Sequence, residues 1–206
     1  MSDTRFDKSW AVRCDIRKCS IAAVGQFIAR HYLGKPPAVV LLCLVMTCDT
    51  EPVGCIVYAA PPRETETRYG GKTWELARLF IEDSVPANAE TWLIAQSIRY
   101  IKKNIPGVRF LVSYADPSAG HSGTIYTAAN WTRDGRTDEG RKTPRSDYVD
   151  ADTGQKYGRK SHIPDGARIE RIPRISKARF VYTLQRGKRK RRPARVATSL
   201  WDTKQQ

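Results

Sequence analysis

The chain places its densest group of reactive side chains in one stretch, Ser113-Tyr114-Ala115-Asp116-Pro117-Ser118-Ala119-Gly120-His121-Ser122-Gly123-Thr124-Ile125-Tyr126, directly behind the apolar run Phe110-Leu111-Val112. A buried strand opening into a loop of Asp, Ser, His and two Gly is where α/β proteins put chemistry, at the carboxyl end of a strand. Gly120 and Gly123 permit backbone turns that other residues resist. Asp116 has the chemistry to accept a proton or anchor an amino group, Tyr126 to donate one, and Ser122 to join them as a third catalytic candidate. His121 suits either a base or a phosphate contact. Residues 124–131 read as a short helix presenting Tyr126. The same composition also fits a polar turn without chemistry, and Tyr126 also fits a core position.

The flanking segments must hold this stretch in place. Residues 10–17 alternate as a first strand. Ser20 is a good N-cap for a helix with Ile21, Val24, Phe27 and Ile28 on one face, stopped by Gly34 and Pro36-Pro37. Residues 39–47 and 52–59 are apolar, β-branched runs joined by Cys48-Asp49-Thr50-Glu51, a hairpin pattern. Residues 61–71 have no apolar period and read as a mobile loop. Residues 72–81 alternate, which sets Arg78 on the face of Trp74 and Leu76. The clearest helix covers 88–103, and residues 110–114 return as a strand, so this unit predicts a right-handed crossover and a parallel strand pair. Residues 132–165, rich in Gly, Asp and Arg, read as a long functional or disordered loop. Residues 178–184 alternate as a last strand. The sum is a mixed α/β sheet.

With 206 residues and 40% apolar content, the chain suits one soluble globular domain with a real core. Its apolar runs are too short to span a bilayer, and charges crowd residues 3–8, so no membrane partner and a cytoplasmic location are expected. Five cysteines (14, 19, 43, 48 and 55) match no standard zinc spacing. Cys43 and Cys55, inside apolar strands, read as reduced, buried small hydrophobes. The net charge of +15 is concentrated: residues 156–195 hold fifteen Lys and Arg against Asp165 and Glu170. Its densest part, residues 186–195, holds seven cations and favours a polyphosphate partner through counterion release.

Ser113-Tyr114-Ala115-Asp116, the run from Gly120 to Tyr126 and Asn130-Trp131, supported by Trp74-Glu75-Leu76-Ala77-Arg78-Leu79 and His31-Tyr32-Leu33-Gly34, closely resemble the Mom proteins of Mu-like phages. These modify adenine in phage DNA, protect it from restriction in the bacterial host, and look like remote GCN5-related N-acyltransferases. The resemblance implies a mixed, mostly antiparallel sheet with a central βαβ crossover and flanking helices over residues 1–185, followed by a basic tail over 186–206. It implies an enzyme transferring an acyl- or carbamoyl-type group to the exocyclic N6 of adenine, flipped out of double-stranded DNA. Arg78 and Asp116 would face each other across splayed strands. Tyr126 would serve as general acid in a Tyr-x-x-x-Gly-Phe-like pattern, with Asn130 and Trp131 replacing Gly and Phe.

Trp74, Tyr114 or Trp131 would stack on the base, although each also suits a position packed in the core. His121, Trp131 and the tail residues Lys188, Arg189, Lys190, Arg191 and Arg192 would contact DNA. His31 and Tyr32, ending the first helix, would join Asp116 and Tyr126 as nitrogen and oxygen ligands suited to iron. The glycine-rich pyrophosphate loop of acyl-CoA-dependent relatives corresponds to Val85-Pro86-Ala87-Asn88-Ala89-Glu90, which has no glycine. The donor is thus left open between acetyl-CoA and a related compound. An ordinary N-acyltransferase for peptides or small amines and a non-catalytic nucleic-acid-binding module are the alternatives.

Overall fold

The computed structural model describes residues 9–184, except 71, 144 and 158–161. A seven-stranded sheet, ordered β1-β2-β3-β4-β5-β10-β6, forms its centre, and a second sheet, β8-β7-β9, stands apart. The central strands are β1 (Cys14–Lys18), β2 (Val40–Cys48), β3 (Glu51–Ala59), β4 (Thr73–Ile81), β5 (Phe110–Ala115), β6 (Thr132–Arg136) and β10 (Ala178–Thr183). Only β4 and β5 pair in parallel; the other pairings are antiparallel. The expected mixed, mostly antiparallel sheet with a central crossover is therefore present.

Period-two alternation divides the core between the two sheet faces. Leu42, Leu44, Met46, Ile56 and Tyr58 pack against α4 (Ala89–Asn104) through Leu93, Ile94, Ile98 and Ile101. On the other face, Cys43, Cys55 and Val57 pack against Val24, Phe27 and Ile28 of α2 (Gly25–Arg30) and the 3₁₀ turn before it. In the β2–β3 hairpin, Asp49 and Thr50 both have positive φ (49° and 74°), the geometry whose twist matches the flanking strands.

Four regions of the chain differ from the sequence reading. Residues 9–12 form a short helix, α1 (Ser9–Val12), before β1. Residues 63–69, expected to be loop, form α3 (Arg63–Tyr69). The supposed loop over 132–165 contains β6, β7 (Ser146–Asp150) and β8 (Lys156–Tyr157), and β7 also pairs with β9 (Ile169–Pro173). The helix expected over 124–131 is the shorter α5 (Thr124–Ala128), closed by Asn130 at φ 62°. Cys43 and Cys55 are free and buried as expected, while Cys14 and Cys48, directly opposed on β1 and β2, form a disulfide. No helix among the described residues is long and apolar enough to cross a membrane.

Candidate active site

The central parallel pair is short. β4 and β5 pair only at Thr73–Phe110, Trp74–Leu111 and Glu75–Val112. Beyond Glu75 the two strands part. A bulge accompanies the parting: β3 pairs with Leu76 and Arg78 but skips Ala77, and an extra residue bends the strand that holds it. Side chains satisfy carbonyls at the split, as buried backbone requires. Ser113 Oγ donates to Leu76 O at 2.9 Å, and Arg78 donates to Ala77 O at 2.6 Å and to Lys35 O at 2.9 Å. The bulge also reverses the alternation. Leu76 packs toward α4 and so do Leu79 and Ile81, whereas Phe80 stacks on Phe27 across the sheet. Arg78 is thus on the face opposite Trp74 and Leu76, a correction to the simple strand period.

The split opens a cavity of about 660 Å³ whose lining includes His31, Tyr32, Glu75, Arg78, His121, Ser122, Tyr126 and Lys177. Segments distant in sequence meet here. His31 leaves α2 in extended conformation (φ −64°, ψ 143°), and its Nδ1 accepts from Leu33 N at 3.1 Å. Its ring lies 4.5 Å from that of Tyr32, which lies 5.0 Å from His121. Burial, with Arg78 and His121 nearby, pushes the His31 imidazole down to about 4, so it is neutral near pH 7. Ser122 is exposed at the cavity, its hydroxyl 2.7 Å from Thr124 Oγ1. Gly123 begins α5 at φ 86°, where a Cβ would run into the Phe180 ring. That close approach seats Tyr126 against Phe180 and Trp131.

Tyr126 is only 8% exposed, and its hydroxyl is hydrogen-bonded to Ser113 Oγ at 2.8 Å. Burial raises it to about 12, so the phenol keeps its proton. Asp116 caps the 3₁₀ turn over residues 117–119, accepting from Ser118 N at 3.0 Å and Ser118 Oγ at 2.6 Å. Its other oxygen lies 2.7 Å from Lys177 Nζ. Burial acts to raise this carboxyl, but Lys177 and Ser118 outweigh it and hold it below its ordinary range. Lys177 borders the cavity; Asp116 stands beside it rather than in the lining. Trp131 does not fit as a base-stacking residue. It is 4% exposed, lies between Tyr126 and Tyr182, and has no free face. Trp74 packs on Tyr58 in the core, whereas Tyr114 does line the cavity. The run holding Lys188, Arg189, Lys190, Arg191 and Arg192 lies outside the described residues.

Sequence reasoning missed Glu75, Lys177 and Thr65. Glu75 sits at the last paired position before the strands part. Burial pushes its carboxyl up to about 7, against the opposing pull of Arg78 and Lys177. The available signal was an acidic residue inside a mostly apolar strand, where an unpaired carboxylate is costly. Thr65, buried on α3, is hydrogen-bonded to the Tyr114 hydroxyl. Asp134 on β6 secures the same helix through Tyr69 and Arg68, and forms an ion pair with Arg179.

The expected iron ligands do not make a donor set. Asp116 is committed to Lys177 and Ser118, Tyr126 to Ser113, and His31 Nδ1 to Leu33 N. Among the described residues, no three His, Cys, Asp or Glu side chains are grouped to hold a metal. The stretch expected to meet a pyrophosphate has Pro86 without an N–H, Asn88 at φ 74° before α4, and Glu90 on the cavity lining. It is not the open glycine cradle on which backbone amides bind phosphate.

A seven-stranded sheet split beside its central crossover defines the fold of the GCN5-related N-acyltransferases. An acetyltransferase of Bacillus subtilis in complex with CoA aligns with 84% of this chain and 99% of its own at a TM-score of 0.51 and 12% identity. An aminoglycoside acetyltransferase in complex with coenzyme A and kanamycin aligns with 82% of this chain and 94% of its own at a TM-score of 0.52 and 13% identity. Within that fold, the chain belongs to the Mom protein family, whose model matches residues 14–199. The methylcarbamoylase mom of Escherichia phage Mu is 33% identical over 57 residues, which cover 28% of this chain and 24% of the phage protein.

Proposed function

We propose that this protein is a DNA-modifying transferase that places an acyl- or carbamoyl-type group on the exocyclic N6 of adenine; the name of its phage Mu relative, a methylcarbamoylase, supports the class of group transferred. The observation that carries the reading is convergence. His31, Tyr32, Arg78, His121, Ser122 and Tyr126, drawn from separate segments of a Mom-family chain, line one cavity at the split of an acyltransferase sheet. The adenine amino group is paired inside a duplex, so the base must be flipped into such a pocket. Exposed Tyr32, with His31 and His121 beside it, gives an aromatic surface to receive it.

The donor is read as an acyl thioester, the class for which the gap between parted strands is suited. Coenzyme A is present in the two acetyltransferase structures above, although the loop before α4 would have to hold its phosphates without glycines. Arg78 fixes the α2 exit through Lys35 O and orients what lies between the strands. Tyr126, protonated and beside the cavity, is the group to protonate a leaving thiolate. Asp116 holds Lys177 in place. Modification of this kind would protect DNA from restriction in a bacterial cytoplasm. Mass spectrometry of nucleosides from cells expressing the protein tests the reading: a mass-shifted deoxyadenosine is expected. An unchanged deoxyadenosine profile with soluble protein present overturns it.

A further inference from the structure

Resting on that reading, we propose that Glu75 is the proton acceptor for the attacking amino group, the place the sequence had suggested for Asp116. Three observations point there. Glu75 lies at the fork itself, on the cavity lining, where β4 leaves β5. Its carboxyl has no hydrogen bond or salt bridge to another described side chain, while Asp116 is occupied on both oxygens by Ser118 and Lys177. Its neighbours come from every wall of the cavity. Arg78 on β4 and Lys177 before β10 are the cations, and Tyr32 after α2, Tyr114 on β5 and Tyr126 on α5 are the phenols. Burial raises each of these phenols, so they remain neutral near pH 7 and Glu75 titrates between two fixed positive charges.

An amide-like aromatic amine is a weak nucleophile and must lose a proton as its new bond forms. As the N6 lone pair bonds to the carbonyl carbon of the acyl thioester, the N6 proton passes to a Glu75 carboxylate oxygen. The carbon–sulfur bond then breaks, and the departing thiolate takes the Tyr126 proton. Glu75 returns its proton to solvent and Tyr126 is reprotonated, leaving acylated adenine and free thiol. A base of this kind works best when its pKa lies near the working pH, and burial brings Glu75 to about 7.

The test compares the full chain with Glu75→Gln, measuring modified deoxyadenosine in duplex DNA from pH 5.5 to 8.5. The wild-type rate should rise with pH to a plateau through an apparent value near 7. Glu75→Gln should lose about a hundredfold or more of the rate, and its residual rate should lack that rise. Retention of activity within a few-fold overturns the proposal, as does a slow variant that keeps the rise. The adenine reading fails separately, through a soluble wild-type protein that leaves deoxyadenosine unchanged. In that event, carboxyl ¹³C NMR of the wild-type chain decides on Glu75 alone: titration near 7 supports a poised base, and titration in the ordinary carboxylate range overturns it.

Discussion

Asp116 and Lys177 form a unit. The carboxylate has two oxygens, one closing its own turn and the other holding an ammonium at the cavity wall. A change at either end should therefore act through the other. Asp116→Asn and Lys177→Gln are each expected to reduce adenine modification by about tenfold, with the double variant no worse than the single ones, since residues sharing one interaction are non-additive. Additive losses would separate the two roles. Asp116 was legible in the sequence as a titratable group behind a strand. Its partner was not, because Lys177 lies sixty-one residues further along and only the β5–β10 pairing, with Ala115 opposite Ala178, brings the two together. Glu75 was hidden for a related reason. Simple alternation set it on one face of a strand and Arg78 on the other, with no sign that the strand parts from its neighbour there.

At the scale of elements, apolar periodicity located the structure that it builds. The helix over 88–103 and the strands β2 to β5 and β10 carry their burial pattern in their residue types. Helix α3 carries none. Among its seven residues only Thr65 is buried, and its position depends on Tyr114 and Asp134, which lie forty-nine and sixty-five or more residues away. Strands β6 to β9 are likewise polar and are held by pairing across the chain. Asp134→Ala should therefore free α3 from the cavity and leave Arg179 with a weaker charge partner. The expected cost is about 1–3 kcal/mol, read as a lower midpoint in denaturant and faster proteolysis within residues 63–69. The Tyr69 hydrogen bond, followed by Arg68 and Arg179, holds Asp134 below its ordinary range. Its stabilisation is complete above the unfolded value of about 4 and is lost as pH falls through the folded value. The difference between wild type and Asp134→Ala should shrink below about pH 4, and an unchanged difference in acid would remove the carboxylate from the account.

Across the whole molecule, charge is divided. Residues 1–155 hold twenty Lys and Arg against eighteen Asp and Glu, whereas residues 186–195 hold seven cations and no acid. A run so poor in apolar residues has no means to build a pocket, but it can neutralise phosphates. Each such contact contributes about 0.9 to the slope of log affinity against log salt. Truncation after Leu184 should flatten that slope by several units, weaken binding to all DNA sequences alike, and leave the identity of the modified base unchanged. A slope that survives truncation would move the phosphate contacts into residues 156–179. Composition was enough to reveal this division, because charge density needs no fold to be counted.

The parting of β4 and β5 gives the sheet margins in its middle. Strand margins normally lie at the rim of a domain, where exposed amides and carbonyls risk pairing with another chain. Here residues 77–81 and 113–115, beyond the last β4–β5 pair, line the cavity together with residues of α3 and of the α2 exit. Part of that margin is already engaged, the Ala77 carbonyl by Arg78 and the Leu76 carbonyl by Ser113, and its place inside the domain removes it from the rim where another chain could pair.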